Sequence, residues 1–368
     1  MKTIKQTINE FISDYPIEEK LAPKEELLFL DIETTGFTAR SSFLYLIGCS
    51  YFADGNWQTI QWFAQDYSEE TQILTAFFDF ASKYKYLVHF NGNNFDLPYL
   101  AQKCRMLNIS YDLESFEGID IYRRITPYKY FLKLPNCKQK SIEHFLGIHR
   151  EDRYTGGELV SVYHDYVQAP TEEAEHSLLL HNQDDLYGML LILPILSYHD
   201  LFRESVHARR VQSESFRDIN GITRRELLIE LILPCNLPRE ITVSSHGCFF
   251  RGEGNHAVLK VPVFEEEMKY FYANYKNYYY LPEEDVALHK SVATFVDADH
   301  RIPATAENCY TRKASSYLPQ WDIIFEPFFK RDYRSKELFF ELTDEFKTDR
   351  EAFHQYATYI LHVMASTY

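Results

Sequence analysis

Asp31 and Glu33 stand two residues apart at the end of an apolar run, Leu27-Leu28-Phe29-Leu30, and Thr34-Thr35-Gly36 follows them. Such a run reads as a buried strand, which the Thr-Thr-Gly lets the chain leave. Strand side chains alternate with period two, so the two acids point to one face. Burying like charges side by side is costly unless a cation compensates them. Paired carboxylates in this position therefore suit hard divalent ions, which take oxygen ligands. A strand end reaching solvent would look the same, so the pair needs partners.

Two distant segments supply candidates. Asn91-Gly92-Asn93-Asn94-Phe95-Asp96 reads as a strand end, a turn and a helix start. An acid is favoured at a helix N-terminus, so capping alone accounts for Asp96. A strand lying beside the first would instead swing it toward Asp31 and Glu33. The third segment, His181-Asn182-Gln183-Asp184-Asp185, is embedded between Leu178-Leu179-Leu180 and Leu186, Met189 and Leu190. Residues four apart share a helix face, so His181 and Asp185 project together, with Asp184 a rival not far round. A polar helix face is the alternative. Taken together, Asp31, Glu33, Asp96 and Asp185 could hold two divalent ions, an arrangement suited to phosphodiester hydrolysis. His181, whose type titrates near neutrality, would orient or deprotonate the attacking water.

The elements that must position these residues are legible. Residues 26–31, 43–52 and 57–64 read as strands, the last two joined by the turn Ala53-Asp54-Gly55-Asn56. A helix over 70–82 follows, then a strand at 86–91, a helix over 97–107 and a strand at 118–123. Helical stretches come near 141–147, 157–168 and 172–198. This order fits a mixed sheet flanked by helices.

The texture changes beyond residue 205. Residues 239–265 read as two or three antiparallel strands around the turn Gly252-Glu253-Gly254-Asn255. Strands at 278–282 and 338–342 and a closing helix over 350–364 follow. We expect three parts: an N-terminal extension over 1–24, a domain over 25–204 and a smaller α+β domain over 205–368.

Composition narrows the class. Six well-separated cysteines without a C-x-x-C pair argue against a zinc site or a disulfide framework and suit a reducing compartment. The N-terminus lacks the apolar stretch of a signal peptide, and the best membrane candidate, 189–196, is too short and contains Pro194. A cytoplasmic protein is the expectation. The net charge of −16 counts against nucleic acid, which needs cations at its phosphates. Its distribution is uneven, however. Between Ile121 and Lys140 lie Arg123, Arg124, Lys129, Lys133, Lys138 and Lys140 with no acid, interleaved with Tyr122, Tyr128, Tyr130 and Phe131. Such a strip can track a phosphate backbone and stack bases, or be a solvated face over core aromatics.

Asp-x-Glu on a strand, then Asn-x-x-x-Phe-Asp, then a His-containing last motif resembles the three-motif pattern of the DEDD exonucleases, within the ribonuclease-H-like (DnaQ-like) superfamily. The resemblance is to the YprB-like branch, and extends to Ser141-Ile142-Glu143-His144-Phe145-Leu146-Gly147-Ile148 and Gly156-Gly157-Glu158, covering about residues 25–200. It implies a ribonuclease-H-like mixed sheet flanked by helices, with Asp31, Glu33, Asp96 and Asp185 as ligands to two Mg²⁺ or Mn²⁺ ions. It also implies hydrolysis inward from a 3′ end. We expect single-stranded ends of DNA or RNA as the substrate, with Thr34, Asn91, Arg123, Arg124, Lys129 and Lys133 as nucleic-acid contacts. One departure stands out. His181 lies four residues before Asp185, the spacing that one subgroup fills with tyrosine, whereas the histidine subgroup uses five. Five beyond His181 is Leu186, which cannot ligate a metal, so Asp185 is aligned as the ligand.

Two other readings stay open: a non-catalytic nucleic-acid-binding or partner-docking module, and a structure-specific endonuclease. In the second half, Asp297-Ala298-Asp299-His300 reads as a polar turn, and His246 and Cys248, alternating on a strand, lack a second zinc-binding pair. The tyrosines of 272–280 read as core. Arg203, Arg209 and Arg210 form a basic rim or pair with surface acids. Oligomeric state is not encoded in any of these features.

Overall fold

The computed structural model describes residues 1–8, 11, 13–111, 113–148 and 156–366. The chain divides into two compact units, Met1–Asp200 with Asn236–Arg239, and Leu201–Cys235 with Glu240–Tyr368.

Strands Lys2–Thr7 (β1), Leu27–Thr34 (β2), Leu44–Ala53 (β3), Asn56–Phe63 (β4), Tyr86–His89 (β5) and Glu117–Asp120 (β6) build the sheet of the first unit. Its order is β1-β4-β3-β2-β5-β6. β2, β3, β4 and β1 pair antiparallel, whereas β2–β5 and β5–β6 are parallel. Residues 1–24, set apart above as an extension, thus contribute an edge strand. β2 lies inside the sheet with Leu27 to Leu30 at most 1% exposed, which is why its sequence is a continuous apolar run rather than an alternating one.

Two helices cover this sheet. Glu70–Ala81 buries Ile73, Leu74, Phe77, Phe78 and Ala81, a stripe at helical spacing. Glu172–Leu191 turns Leu178, Asn182, Leu186, Met189 and Leu190 inward and packs on β2, β3 and β4. Its approach to β3 depends on Gly48, where a Cβ would stand 1.9 Å from Asn182 Oδ1 and 2.7 Å from Leu186 Cδ1.

Three expected elements differ in detail. The strand over 118–123 stops at Asp120, whose carboxylate accepts the Arg123 N–H and caps a short helix, Ile121–Ile125. The helix expected over 172–198 ends at Leu191. Pro194 cannot donate a backbone hydrogen bond, and the chain passes through a single 3₁₀ turn before the helix Leu196–Leu201. The turn assigned to Gly252–Asn255 is not a turn.

In the second unit, His207–Arg217 (β7), Thr223–Ser245 (β8) and Cys248–Phe271 (β9) precede Tyr278–Leu281 (β10), Val286–His289 (β11), Ile302–Pro303 (β12), Tyr310–Gln320 (β13), Phe328–Phe329 (β14) and Leu338–Glu341 (β15). A six-stranded sheet runs β14-β15-β13-β9-β8-β7, and β11-β10-β12 form a small separate sheet. β9 runs unbroken through 252–255, with Gly254 left-handed at φ 55°. The reversal falls at His246-Gly247, both left-handed at φ 54° and 76°, as a two-residue hairpin requires. His246 is therefore a turn residue, not a strand neighbour of Cys248. The segment 298–300 is a single 3₁₀ turn, and Tyr272, Tyr275, Tyr278 and Tyr280 pack against Ala287, Ala304 and Cys309. All six cysteines are free and buried. Among the described residues no helix is long and apolar enough to cross a membrane.

Candidate metal centre

The parallel strands β2, β5 and β6 end at one edge of the first sheet, the edge at which open α/β folds place their ligands. Asp31 and Glu33 sit near the end of β2. Asp96 opens the helix Asp96–Leu107 that follows β5, and the register His89↔Asp120 sets Asp120 at the end of β6. The Glu172–Leu191 helix brings His181 and Asp185 over the same place.

His181 Nε2 lies 3.8 Å from Glu33 Oε1 and 3.6 Å from Asp185 Oδ2. One donor atom from each of these three residues falls within 4.8 Å of the others. Asp31 and Asp96 join them electrostatically. Burial, then the charges of Glu33, Asp185 and Asp96, hold the Asp31 carboxyl well above the usual range, while a hydrogen bond from Asn182 opposes the rise. Burial, then Asp185 and Asp96, raise Glu33. Asp96 is pushed up to about 7, chiefly by burial; N–H bonds from its own amide and from Ile32 work against this, and Asp120 adds to it. No lysine or arginine is among the described groups that perturb these three carboxyls. An oxygen-rich set crowded together without a compensating cation fits hard divalent ions. Asp185, not Asp184, belongs to the group. The buried stripe runs through Leu178, Asn182 and Leu186, and Asp184 lies further round the helix from it.

Several supporting residues went unnoticed in the sequence. Asn182, fully buried, donates from Nδ2 to Asp31 Oδ2 at 2.7 Å. Its Oδ1 accepts from Gln61 Nε2 at 2.9 Å, and the same Gln61 nitrogen reaches Leu179 O at 2.9 Å. Gln139 Nε2 donates to Asp185 O at 3.0 Å. The signal was present: an asparagine on a leucine stripe must find buried partners. Asp120 accepts N–H bonds from Asn91 at 3.0 Å and Asn93 at 3.4 Å as well as from Arg123, and so organises the turn that delivers Asp96. His89, fully buried, faces Asp120 Oδ2 at 3.6 Å. Burial pushes its pKa down, and its Nδ1 accepts the Gly92 N–H at 3.1 Å. A Cβ at Gly92 would stand 2.6 Å from the His89 ring.

The expected nucleic-acid contacts are placed as follows. Thr34 Oγ1 donates to Gly36 O at 2.9 Å, at the start of the loop after the acidic pair. That loop is pinned where buried Lys103 meets Glu70 at 2.7 Å and the Ser42 carbonyl, yet Phe37 within it is 93% exposed, 6.1 Å from the Phe95 ring. Asn91 adopts φ 63°, a left-handed conformation that asparagine tolerates, and accepts from Asn94 Nδ2 at 2.7 Å. Arg123 is exposed and Arg124 half-buried on the Ile121–Ile125 helix. Lys129 lies over the Tyr130 ring at 5.1 Å, and Lys133 is exposed at φ 54°. The aromatics of the strip divide, Phe131 being core and Tyr130 57% exposed.

The RNase_H_2 family model (RNase_H superfamily) matches residues 28–196, and that region has the ribonuclease-H-like fold. No curated protein matches the chain at a significant level. Among solved structures, a family B DNA polymerase from the hyperthermophilic archaeon Pyrobaculum calidifontis aligns over 71% of this chain and 36% of its own, at 12% identity and a TM-score of 0.37. A structure of exonuclease I aligns over 56% of this chain and 55% of its own, at 14% identity and a TM-score of 0.27. E. coli exonuclease I in complex with a dT13 oligonucleotide aligns over 56% and 54%, at 12% identity and a TM-score of 0.27. The chain thus spans about a third to a half of these molecules, and at such identities they assign no activity to it.

Proposed function

We propose that this protein is a metal-dependent 3′–5′ exonuclease of the DEDD type, YprB-like, acting on single-stranded ends of DNA or RNA. The observation that carries the reading is the convergence of Glu33, His181 and Asp185 within 4.8 Å, with Asp31 and Asp96 electrostatically coupled to Glu33. Asp31, Glu33, Asp96 and Asp185 would hold two Mg²⁺ or Mn²⁺ ions. When bound, these ions supply Lewis-acid chemistry, neutralising charge at the phosphate and activating water.

The chain's own residues do the rest. Asn182, fixed by Gln61, holds the Asp31 carboxylate in one orientation. His181 Nε2, beside Glu33 and Asp185, would accept a proton from the attacking water. Phe37, in the loop that follows the acidic pair, offers an exposed ring suited to stacking a terminal base. Arg123, Arg124, Lys129 and Lys133 would meet phosphates.

Purified protein incubated with Mn²⁺ and 5′-labelled linear oligonucleotides should give a ladder shortening from the 3′ end, and should leave circular strands intact. Cleavage of circles would make it an endonuclease. Absence of Mn²⁺-dependent cleavage on DNA and RNA alike would leave a non-catalytic scaffold.

A further inference from the structure

The second unit gathers cations that a chain of net charge −16 gives no reason to expect. β7 pairs with β8 through Ala208↔Leu231 and Arg210↔Glu230, so Arg209 is the extra residue of a bulge. A bulge breaks the alternation of side chains, and Arg209 and Arg210 line the same depression instead of opposite faces. Lys347, Thr348 and Arg350 complete that depression of about 190 Å³, and among the described residues no acid lines it. An adjoining concavity of about 580 Å³ shares Arg209 and adds Arg251 and His256, here beside Glu230 and Glu253.

Some of these charges are answered locally. Lys347 meets Asp344 at 2.8 Å, Arg251 meets Glu240 at 2.8 Å, and Arg210 lies 3.8 Å from Glu230. Arg209 and Arg350, both exposed, form no ion pair among the described residues. Arginine's planar fork matches phosphate oxygens in pairs, and its weak hydration favours such contacts. Phe353, the aromatic lining the smaller depression, is buried and offers no stacking face. Contacts here would follow phosphates and ignore bases.

We propose that Arg209, Arg210, Lys347 and Arg350, with Arg251 and His256 alongside, form a surface that binds the phosphate backbone of a single-stranded nucleic acid without sequence preference and without metal. The choice of nucleic acid among polyanions rests on the nuclease reading of the first unit.

The test is fluorescence anisotropy of the full chain with labelled oligo(dT) and oligo(rU) in excess chelator, where no cleavage occurs. Arg209→Glu/Arg350→Glu should weaken binding of both by about tenfold or more and reduce the salt slope by about 0.7 for each phosphate no longer neutralised. Arg209→Lys/Arg350→Lys should stay close to wild type. So should Arg224→Glu/Arg334→Glu, which reverses two exposed, paired arginines elsewhere on the unit. Circular dichroism checks that each variant is folded. Wild-type protein that fails to bind either oligonucleotide overturns the proposal. Equal loss in the Arg224/Arg334 control does so too, by reducing the effect to overall charge. Displacement by polyglutamate as effective as by unlabelled oligonucleotide would point to an acidic polypeptide instead. Binding in chelator is independent of hydrolysis, so failure of this surface and failure of the nuclease reading are told apart.

Discussion

Asn182 Nδ2 donates to Asp31 Oδ2 at 2.7 Å while its own Oδ1 is held by Gln61, so the orientation of the first acid in β2 is set from a helix 151 residues further along the chain. Asn182 is fully buried and Asp31 half-buried, and removing either leaves the other without this partner. Asn182→Ala should cost about 1–3 kcal/mol of stability and weaken Mn²⁺ binding, read by thermal unfolding with and without Mn²⁺. Gly48→Ala should destabilise comparably, since its Cβ has no room beside Asn182 and Leu186. Wild-type stability in both variants would contradict this packing.

Crowded carboxyls make the metal-free protein sensitive to pH in a definite direction. Asp31, Glu33 and Asp96 all have raised pKa values, Asp96 to about 7. The folded state therefore binds more protons than the unfolded one above the ordinary carboxylate range, and stability falls as pH rises through that window toward 7 and beyond. Urea unfolding in chelator should show lower stability at pH 8 than at pH 5. Asp96→Asn should flatten part of that slope, and Mn²⁺ should restore stability at pH 8. A metal-free protein most stable at pH 8 would refute the crowding.

His181 should matter to rate more than to binding. His181→Ala should lower kcat by about 10²–10⁴-fold with little change in KM, and Asp31→Asn or Glu33→Gln should abolish turnover. Steady-state kinetics on a short oligonucleotide reads this. An unchanged kcat in His181→Ala would remove it from proton transfer.

Asp120 supports Asp96 by organising the turn that delivers it. Asp120→Ala strands the Asn91, Asn93 and Arg123 amides. We expect a loss of about 1–3 kcal/mol together with weaker Mn²⁺ binding. Arg123→Ala, which keeps the cap, should leave metal affinity unchanged.

Phe37 is almost fully exposed, so Phe37→Ala should leave the melting temperature near wild type. Loss of a stacked base is worth about 1–3 kcal/mol, read as a higher KM on single strands. Unchanged KM would leave the ring without a role in binding.

The sequence showed the site through local rules and hid what depends on distant pairing. Strand alternation put Asp31 and Glu33 on one face, and an apolar run explained their burial. Helix geometry paired His181 with Asp185 but could not rank Asp185 against Asp184. That choice follows from which face meets β2 to β4, and the Leu178-Asn182-Leu186 stripe declares it once Asn182 is read as buried. Gln61 gave no sign, because its partner lies on another element 121 residues away. Asp120 was concealed by a strand drawn through it. In the second unit, glycines within β9 imitated a turn, while the true reversal at His246-Gly247 lacks the familiar Asn-Gly pair.

Calorimetric titration of the metal-free protein with Mn²⁺ near pH 7, in buffers of different ionisation enthalpy, tests the central claim most directly. Carboxyls whose pKa values are raised by burial and by one another release protons when a metal binds. We predict saturable binding of two ions with net proton release, lost in Glu33→Gln and Asp185→Asn. Absence of saturable binding, or binding unchanged in those two variants, would contradict a metal centre at this edge of the sheet.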